Sequence, residues 1–215
     1  MQPTVYLDAN VFKFAATRLL RLFPREHTVT WGEREFSTTV HDFGYLNPNE
    51  SISNADLKAE AQLLQKVAEM AKSSRLSLMV QLETRLEAWG LPRMDSDDGP
   101  MYGAPLVAVN APIQYGRIVV GGGESADERQ LNFLRSLRAP RFLELQRATG
   151  AYQGPGRLNR NQLLDAFHLW CAEYNRCNYF LTLDFKLQRV LEQSRKELNT
   201  SVVRPSQLLQ AVGPA

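Results

Sequence analysis

Val5-Tyr6-Leu7-Asp8-Ala9-Asn10-Val11-Phe12 decides the reading of this chain. An apolar run of the kind buried in a parallel sheet stops on a carboxylate, and a helical pattern begins within three residues. In an open α/β sheet, ligands sit beyond the carboxyl ends of the strands, so an aspartate placed there faces a crevice from a rigid support. The same arrangement returns at Tyr179-Phe180-Leu181-Thr182-Leu183-Asp184, followed by the helical 185–191. Two strand ends of this kind predict an α/β fold around a mainly parallel sheet, with both aspartates at one edge of it.

The rest of the chain fills in this frame. A helical period runs over 10–23 and is stopped by Pro24. Two β-prone runs, 27–31 and 35–40, flank Gly32-Glu33-Arg34 and read as a hairpin, while 44–54 has loop chemistry. A hairpin does not belong to a βαβ alternation, so 26–54 reads as an insertion. A long amphipathic helix is expected over 55–72, a core strand at 76–80, and a helix from 81 to 89 that carries Glu83 and Glu87 on one face. From 92 to 150 the pattern breaks up, with β-prone runs at 106–109 and 117–120 and helices near 126–137 and 140–148. That stretch reads as a second, irregular insertion or lid. Asn159 is a plausible cap for a helix over 160–176. The helix 185–197, the strand 201–203 and the helix 205–211 close the alternation.

At 215 residues, 44% hydrophobic and 22% charged, the sequence supports one globular domain over 1–215 and no low-complexity tract. A net charge of +2 permits a polyanionic partner without requiring one. Cys171 and Cys177 have no second pair with which to build a zinc site, and both read as reduced, as in a cytoplasmic protein. No signal-peptide pattern and no membrane-length apolar segment is expected.

Four carboxylates stand out by position: Asp8, Glu83, Asp165 and Asp184. Asp165 lies among large apolar residues of a helix, where an unpaired aspartate is costly. Each also has a plainer reading. Asp8 and Asp184 could be helix caps, Asp165 could pair with Arg160 or His168, and Glu83 could be an ordinary helix residue. Carboxylates sharing one crevice repel each other and raise each other's pKa unless a cation intervenes, and Mg²⁺ or Mn²⁺ suits all-oxygen ligation. Between 129 and 160 stand seven arginines against the lone Glu144. Arg157 and Arg160 are candidate phosphate contacts, with a solvated helical face as the alternative. Gly121-Gly122-Gly123 lacks the Lys-Ser/Thr of a phosphate loop. Asp95, Asp97 and Asp98 lack the closing Glu of a calcium loop. Trp31, Trp89 and Trp170 read as core or half-buried aromatics.

Leu7-Asp8-Ala9-Asn10-Val11-Phe12 resembles the first motif of the PIN-domain ribonucleases, a family that includes many bacterial toxin nucleases. Leu164-Asp165-Ala166-Phe167 resembles its helix-borne third motif, and Phe180-Leu181-Thr182-Leu183-Asp184-Phe185 its fourth. Gln81-Leu82-Glu83-Thr84 is the best match to the second, with Glu87 and Glu60 as rivals. The resemblance covers about 1–25, 75–90 and 157–210. It implies a three-layer α/β/α fold and a Mg²⁺- or Mn²⁺-dependent endoribonuclease that uses a metal-activated water. The metal ligands would be Asp8, Asp165, Asp184 and Glu83, supported by Asn10 and Thr182. It also implies an RNA substrate, an antitoxin-like protein inhibitor and a homodimer. The alternative is a catalytically weak scaffold of the same fold that binds RNA or protein. A haloacid-dehalogenase-type phosphotransferase would want a second aspartate where Asn10 stands.

Overall fold

Val5, Tyr6 and Leu7 are buried completely, and they form the middle of a five-stranded parallel sheet. The computed structural model describes residues 2–89, 94–95, 99–116, 126–151, 159–194 and 196–213. In chain order its elements are β1 (Thr4–Leu7), α1 (Ala9–Ala15), β2 (Arg18–Trp31), β3 (Arg34–Leu46), α2 (Ala55–Gln62), α3 (Leu64–Lys72), β4 (Ser77–Gln81), α4 (Leu82–Trp89) and β5 (Met94–Asp95). They continue as β6 (Leu106–Val109), α5 (Ala126–Ser136), α6 (Pro140–Ala148), α7 (Arg160–Tyr174), β7 (Tyr179–Leu181), α8 (Phe185–Ser194), β8 (Ser201–Val203) and α9 (Pro205–Val212). The sheet order is β6-β4-β1-β7-β8, with Val5 opposite Leu78 on one side and Tyr179 on the other.

Side chains alternate across a strand, so β1 feeds two cores. Tyr6 and Phe180 point to one face and pack with Phe142, Phe167 and Leu187 from α6, α7 and α8. Val5, Leu7 and Leu181 point to the other and pack with Val11, Val67 and Leu208 from α1, α3 and α9. Helices on both faces make the three-layer α/β/α arrangement. Among the described residues no helix is long and apolar enough to cross a membrane.

The structure departs from the sequence reading where local pattern is ambiguous. The helix expected over 10–23 ends at Ala15, and residues 18–31 are a strand of a long hairpin that pairs from Leu19↔Leu46 to Trp31↔Arg34. Leu19, Leu22 and Phe23 fit a helical period, but pairing with residues 34–46 decides the conformation. Pro24 is tolerated within β2 because, among the described residues, β5 pairs only with Arg18 and Leu19 and no strand pairs with Pro24 on that side. Gly32, at φ +65°, occupies the first central position of the two-residue turn, as a II′ connection requires. The expected 55–72 helix is two helices, with Leu63 between them. The second expected insertion, 92–150, is not wholly outside the sheet, because β6 pairs in parallel with β4 and forms its edge. Within the same stretch Leu134 and Phe142 belong to the core. The expected strand at 117–120 and the glycine run 121–123 lie outside the described residues, as do Asp97, Asp98 and Arg157.

Candidate active site

β1 and β7 run side by side and end at the same level. The Asp8 N–H donates to Leu181 O at 3.1 Å, one bond beyond the ladder, and the Thr182 N–H donates to Val203 O at 3.1 Å. The residues after the two strand ends are tied together. Thr182 Oγ1 donates to Asp8 Oδ2 at 2.6 Å and accepts from the Asp184 N–H at 3.0 Å. Asn10 Nδ2 donates to the same Asp8 oxygen at 2.7 Å and contacts Thr182 Oγ1 at 3.1 Å, while Asn10 Oδ1 accepts from the Leu183 N–H. Asn10 and Thr182 thus fix Asp8 and position the segment leading to Asp184.

The capping alternatives separate cleanly. Asp8 sits at the N-terminus of α1, but its side chain makes no capping bond. Asp184 Oδ1 does cap α8, accepting from the N–H groups of Lys186 and Leu187 at 2.8 and 2.9 Å. Its charge still reaches the crevice. Asp165 is held well above the usual carboxylate range, first by burial and then by the charges of Asp8 and Asp184. Burial likewise raises Asp8 to about 6, against the opposing pull of His168 and the Thr182 hydroxyl. Three carboxylates separated by up to 176 positions therefore share one electrostatic environment. Asp165 pairs with neither Arg160 nor His168, since Arg160 Nη2 donates to Gln130 Oε1 at 2.6 Å and His168 Nε2 lies 2.7 Å from Glu87 Oε1. Among the described residues no lysine or arginine forms an ion pair with Asp8, Asp165 or Asp184.

His168 lies one turn beyond Asp165 and is almost fully buried. Its Nδ1 meets the Tyr6 hydroxyl at 3.1 Å and the Thr84 hydroxyl at 3.2 Å. Burial pushes its pKa down, but Glu87, by charge and hydrogen bond, together with Asp8 and Asp165, more than offsets this and holds it above the usual 6.5. His168 is thus the basic side chain embedded in the carboxylate cluster.

The two glutamates of α4 have different surroundings. Glu87 acts on Asp8, Asp165 and His168. Glu83 is buried in a second polar network. It accepts from Gln130 Nε2 at 2.8 Å, and its own N–H donates to Gln81 Oε1. Gln81 in turn donates to the Tyr115 hydroxyl. Arg160 belongs to this network through Gln130, to which its Nη2 donates. Glu60 is remote in function as well as place, since it accepts from the Ser206 N–H and hydroxyl and anchors α9. Arg141 of the basic run is clamped by Glu173 at 2.7 and 2.8 Å. Of the tryptophans, Trp170 is buried as expected, whereas Trp31 is 82% exposed at the hairpin tip.

Glu87, His168, Tyr6 and Thr84 complete the cluster beyond the residues picked from motifs. The i,i+4 spacing of Glu83 and Glu87 and the i,i+3 spacing of Asp165 and His168 carried the available signal. Among the described residues no three His, Cys, Asp or Glu side chains are grouped closely enough to enclose a metal ion. The donor set is all carboxylate, anionic and short of counter-charge, and no described residue donates a hydrogen bond to Asp165. Such a set fits a hydrated Mg²⁺ or Mn²⁺, which takes one or two carboxylates and keeps several waters, and not a closed zinc cage. Compared with models of known protein families and with curated proteins, the chain matches none.

Proposed function

We propose that this chain is a divalent-metal-dependent endonuclease of PIN-like type that hydrolyses phosphodiester bonds in RNA. The observation that carries the reading is the tie between Asp8 and the segment bearing Asp184, through Thr182 and Asn10, beside the buried Asp165 whose ionisation the charges of both aspartates oppose. Asp8, Asp165 and Asp184 would hold the ion, directly or through water. When bound, the ion lowers the pKa of a ligated water and neutralises charge building on the scissile phosphate. Asn10 and Thr182 keep the Asp8 carboxylate in one orientation. His168, its charge sustained by Glu87, sets the balance of charge behind Asp8 and Asp165. Water adds at phosphorus, the bond to the leaving oxygen breaks, and that oxygen takes up a proton.

The test compares RNA cleavage in Mg²⁺ or Mn²⁺ by the parent, Asp8→Asn and Asp184→Asn. Both variants should lose cleavage while remaining folded, because asparagine keeps the acceptor at position 8 and is itself a good helix cap at 184. Retained cleavage in both would refute the assignment. The metal-group geometry favours a second reading, a catalytically silent scaffold that binds RNA or protein. Calorimetry separates the two, since the scaffold shows no heat of Mn²⁺ binding. An antitoxin-like inhibitor and a homodimer rest on the family resemblance alone, and a cytoplasmic location on the reading of Cys171 and Cys177 as reduced.

A further inference from the structure

The β2–β3 hairpin extends away from both cores, and its two faces differ in chemistry. Strand alternation and the register put the odd residues of β2 with the even residues of β3. That face carries Trp31 (82% exposed), Phe36 (53%) and Phe23 (37%), with Arg21, Arg25 and Arg34 among them. Its one acid, Asp42, is paired with Arg25 at 2.7 Å, so the face is net cationic. Neither Arg21 nor Arg34 has an ion-pair partner among the described residues. The opposite face carries Leu22, Phe43 and Tyr45, equally exposed, with Glu26 and Glu35 and one arginine, Arg18, which lies over the Tyr45 ring at the root, so that face is net acidic. Every fully charged basic residue of the hairpin is an arginine, the side chain that both contacts phosphate and stacks on bases.

Aromatic side chains between cations, with one face of a strand repeating about every 7 Å, match a polymer of stacked bases on a charged backbone. A protein partner would be served as well by the acidic face, so charge decides between them. Gly44 keeps this face open, because a Cβ there would come within 2.7 Å of the Phe23 ring that lies across it. The hairpin root is also fixed relative to the carboxylate crevice. It follows α1, a helix about 10 Å long that begins at Asp8. Asn49 Nδ2 pins the returning chain to Phe14 O and Ala16 O at the end of that helix.

From this juxtaposition we infer that the arginine- and aromatic-bearing face of the hairpin is a binding platform for single-stranded nucleic acid. It rests on the nuclease reading only for its role, which is to lead the strand toward the crevice; binding itself is independent of catalysis. The test is fluorescence anisotropy of the full chain, in chelator, with a labelled oligouridylate and an oligothymidylate of about twenty nucleotides. Trp31→Ala with Phe36→Ala should weaken binding about tenfold. Arg21→Gln with Arg34→Gln should reduce the slope of log affinity against log salt by about 1.4. Leu22→Ser with Phe43→Ser, on the other face, should change neither. A preference between the two oligomers assigns the platform to RNA or to DNA.

No binding by the parent, or equal losses from both faces, would overturn the inference. So would sedimentation showing that the tip variants dissociate a dimer while oligonucleotide affinity is unchanged, which would assign the face to a second copy of the chain. A chain that binds through this face but cleaves nothing removes the nuclease reading and keeps the platform. Cleavage by a chain whose hairpin variants bind like the parent removes the platform alone.

Discussion

Replacing Asp8 with asparagine removes a charge but leaves an oxygen to accept from Thr182 Oγ1 and Asn10 Nδ2, now at 2.6 and 2.7 Å. Burial holds the Asp8 carboxyl at about 6 instead of 3.8. A displacement of that size corresponds to about 3 kcal/mol between the two protonation states. Its sign follows from proton counting. Between those two values the folded chain binds more protons than the unfolded one, so stability falls as pH rises through the window and stays lower above it. Asparagine cannot ionise, so the variant escapes that fall. In chelator, the stability of Asp8→Asn relative to the parent should therefore grow by about 2.4 kcal/mol between pH 4 and pH 7.5. Urea unfolding followed by tryptophan fluorescence measures it; titrations remote from Asp8 cancel in the difference, while Asp165, relieved of the Asp8 charge, adds to the variant's gain. Saturating Mn²⁺ should then stabilise the parent, by about 2.7 kcal/mol at a hundred times its dissociation constant, and leave the variant unmoved. A variant less stable than the parent by a pH-independent amount would refute the argument. Asp8 would then be a structural acceptor and not one charge of a repelling group.

Glu87→Gln should shift the titration of His168. Without the facing charge, burial is opposed only by Asp8 and Asp165, and the imidazole should titrate lower than in the parent. In the parent the raised value adds stability that is complete below 6.5 and is lost as pH climbs through it; the variant should retain less of that contribution. Imidazole NMR reads the change directly, and an unmoved resonance would show that Glu87 is not what holds the proton. On the nuclease reading, Glu87→Gln should also lower Mn²⁺-dependent cleavage about tenfold, and more than Glu83→Gln does. The reverse order would assign the second motif to Glu83. Arg141→Ala should cost about 2 kcal/mol, because it strands the nearly buried Glu173. Cleavage and its salt dependence should not change; a loss of cleavage at unchanged stability would return the basic run to the substrate path.

The aspartates at strand ends were readable because the chain itself locates them. Once an apolar run is recognised as a parallel strand, the residue after it is fixed to within one peptide bond, which places Asp8 directly; Asp184 lies three residues past the end of β7 and is placed by Thr182 and by capping α8. Asp165 was readable for a different reason, since a carboxylate among Leu163, Leu164, Phe167 and Leu169 has few ways to be accommodated. The hairpin root was not readable, because the spacing of Leu19, Leu22 and Phe23 suits a helix as well as a strand, and the deciding partner, Leu46, lies far along the chain. The 106–109 run is β-prone as expected, but its membership of the parallel sheet was not readable, for a related reason. Its exposed edge position leaves Val107 46% accessible, so four residues carry little of the apolar signature of a buried strand.

The choice between Glu83 and Glu87 shows where this kind of reading stops. Both lie on one face of α4, and residues four apart differ by only a small rotation about the helix axis. Which of them meets the aspartates depends on how α4 is rolled against β1 and α7, and that roll is set by Tyr6 and Thr84 closing on His168. A strand fixes the direction of its side chains through backbone pairing, whereas a helix takes its rotation from whatever it packs on. Groups borne by strand ends can therefore be assigned from sequence, while groups borne by helices can be narrowed only to a face. Within α7 that face is shared by Asp165 and His168, three residues apart, so assigning one implicates the other. The histidine, buried and hydrogen-bonded to Tyr6, Thr84 and Glu87, is then carried to the cluster by the same turn as the aspartate.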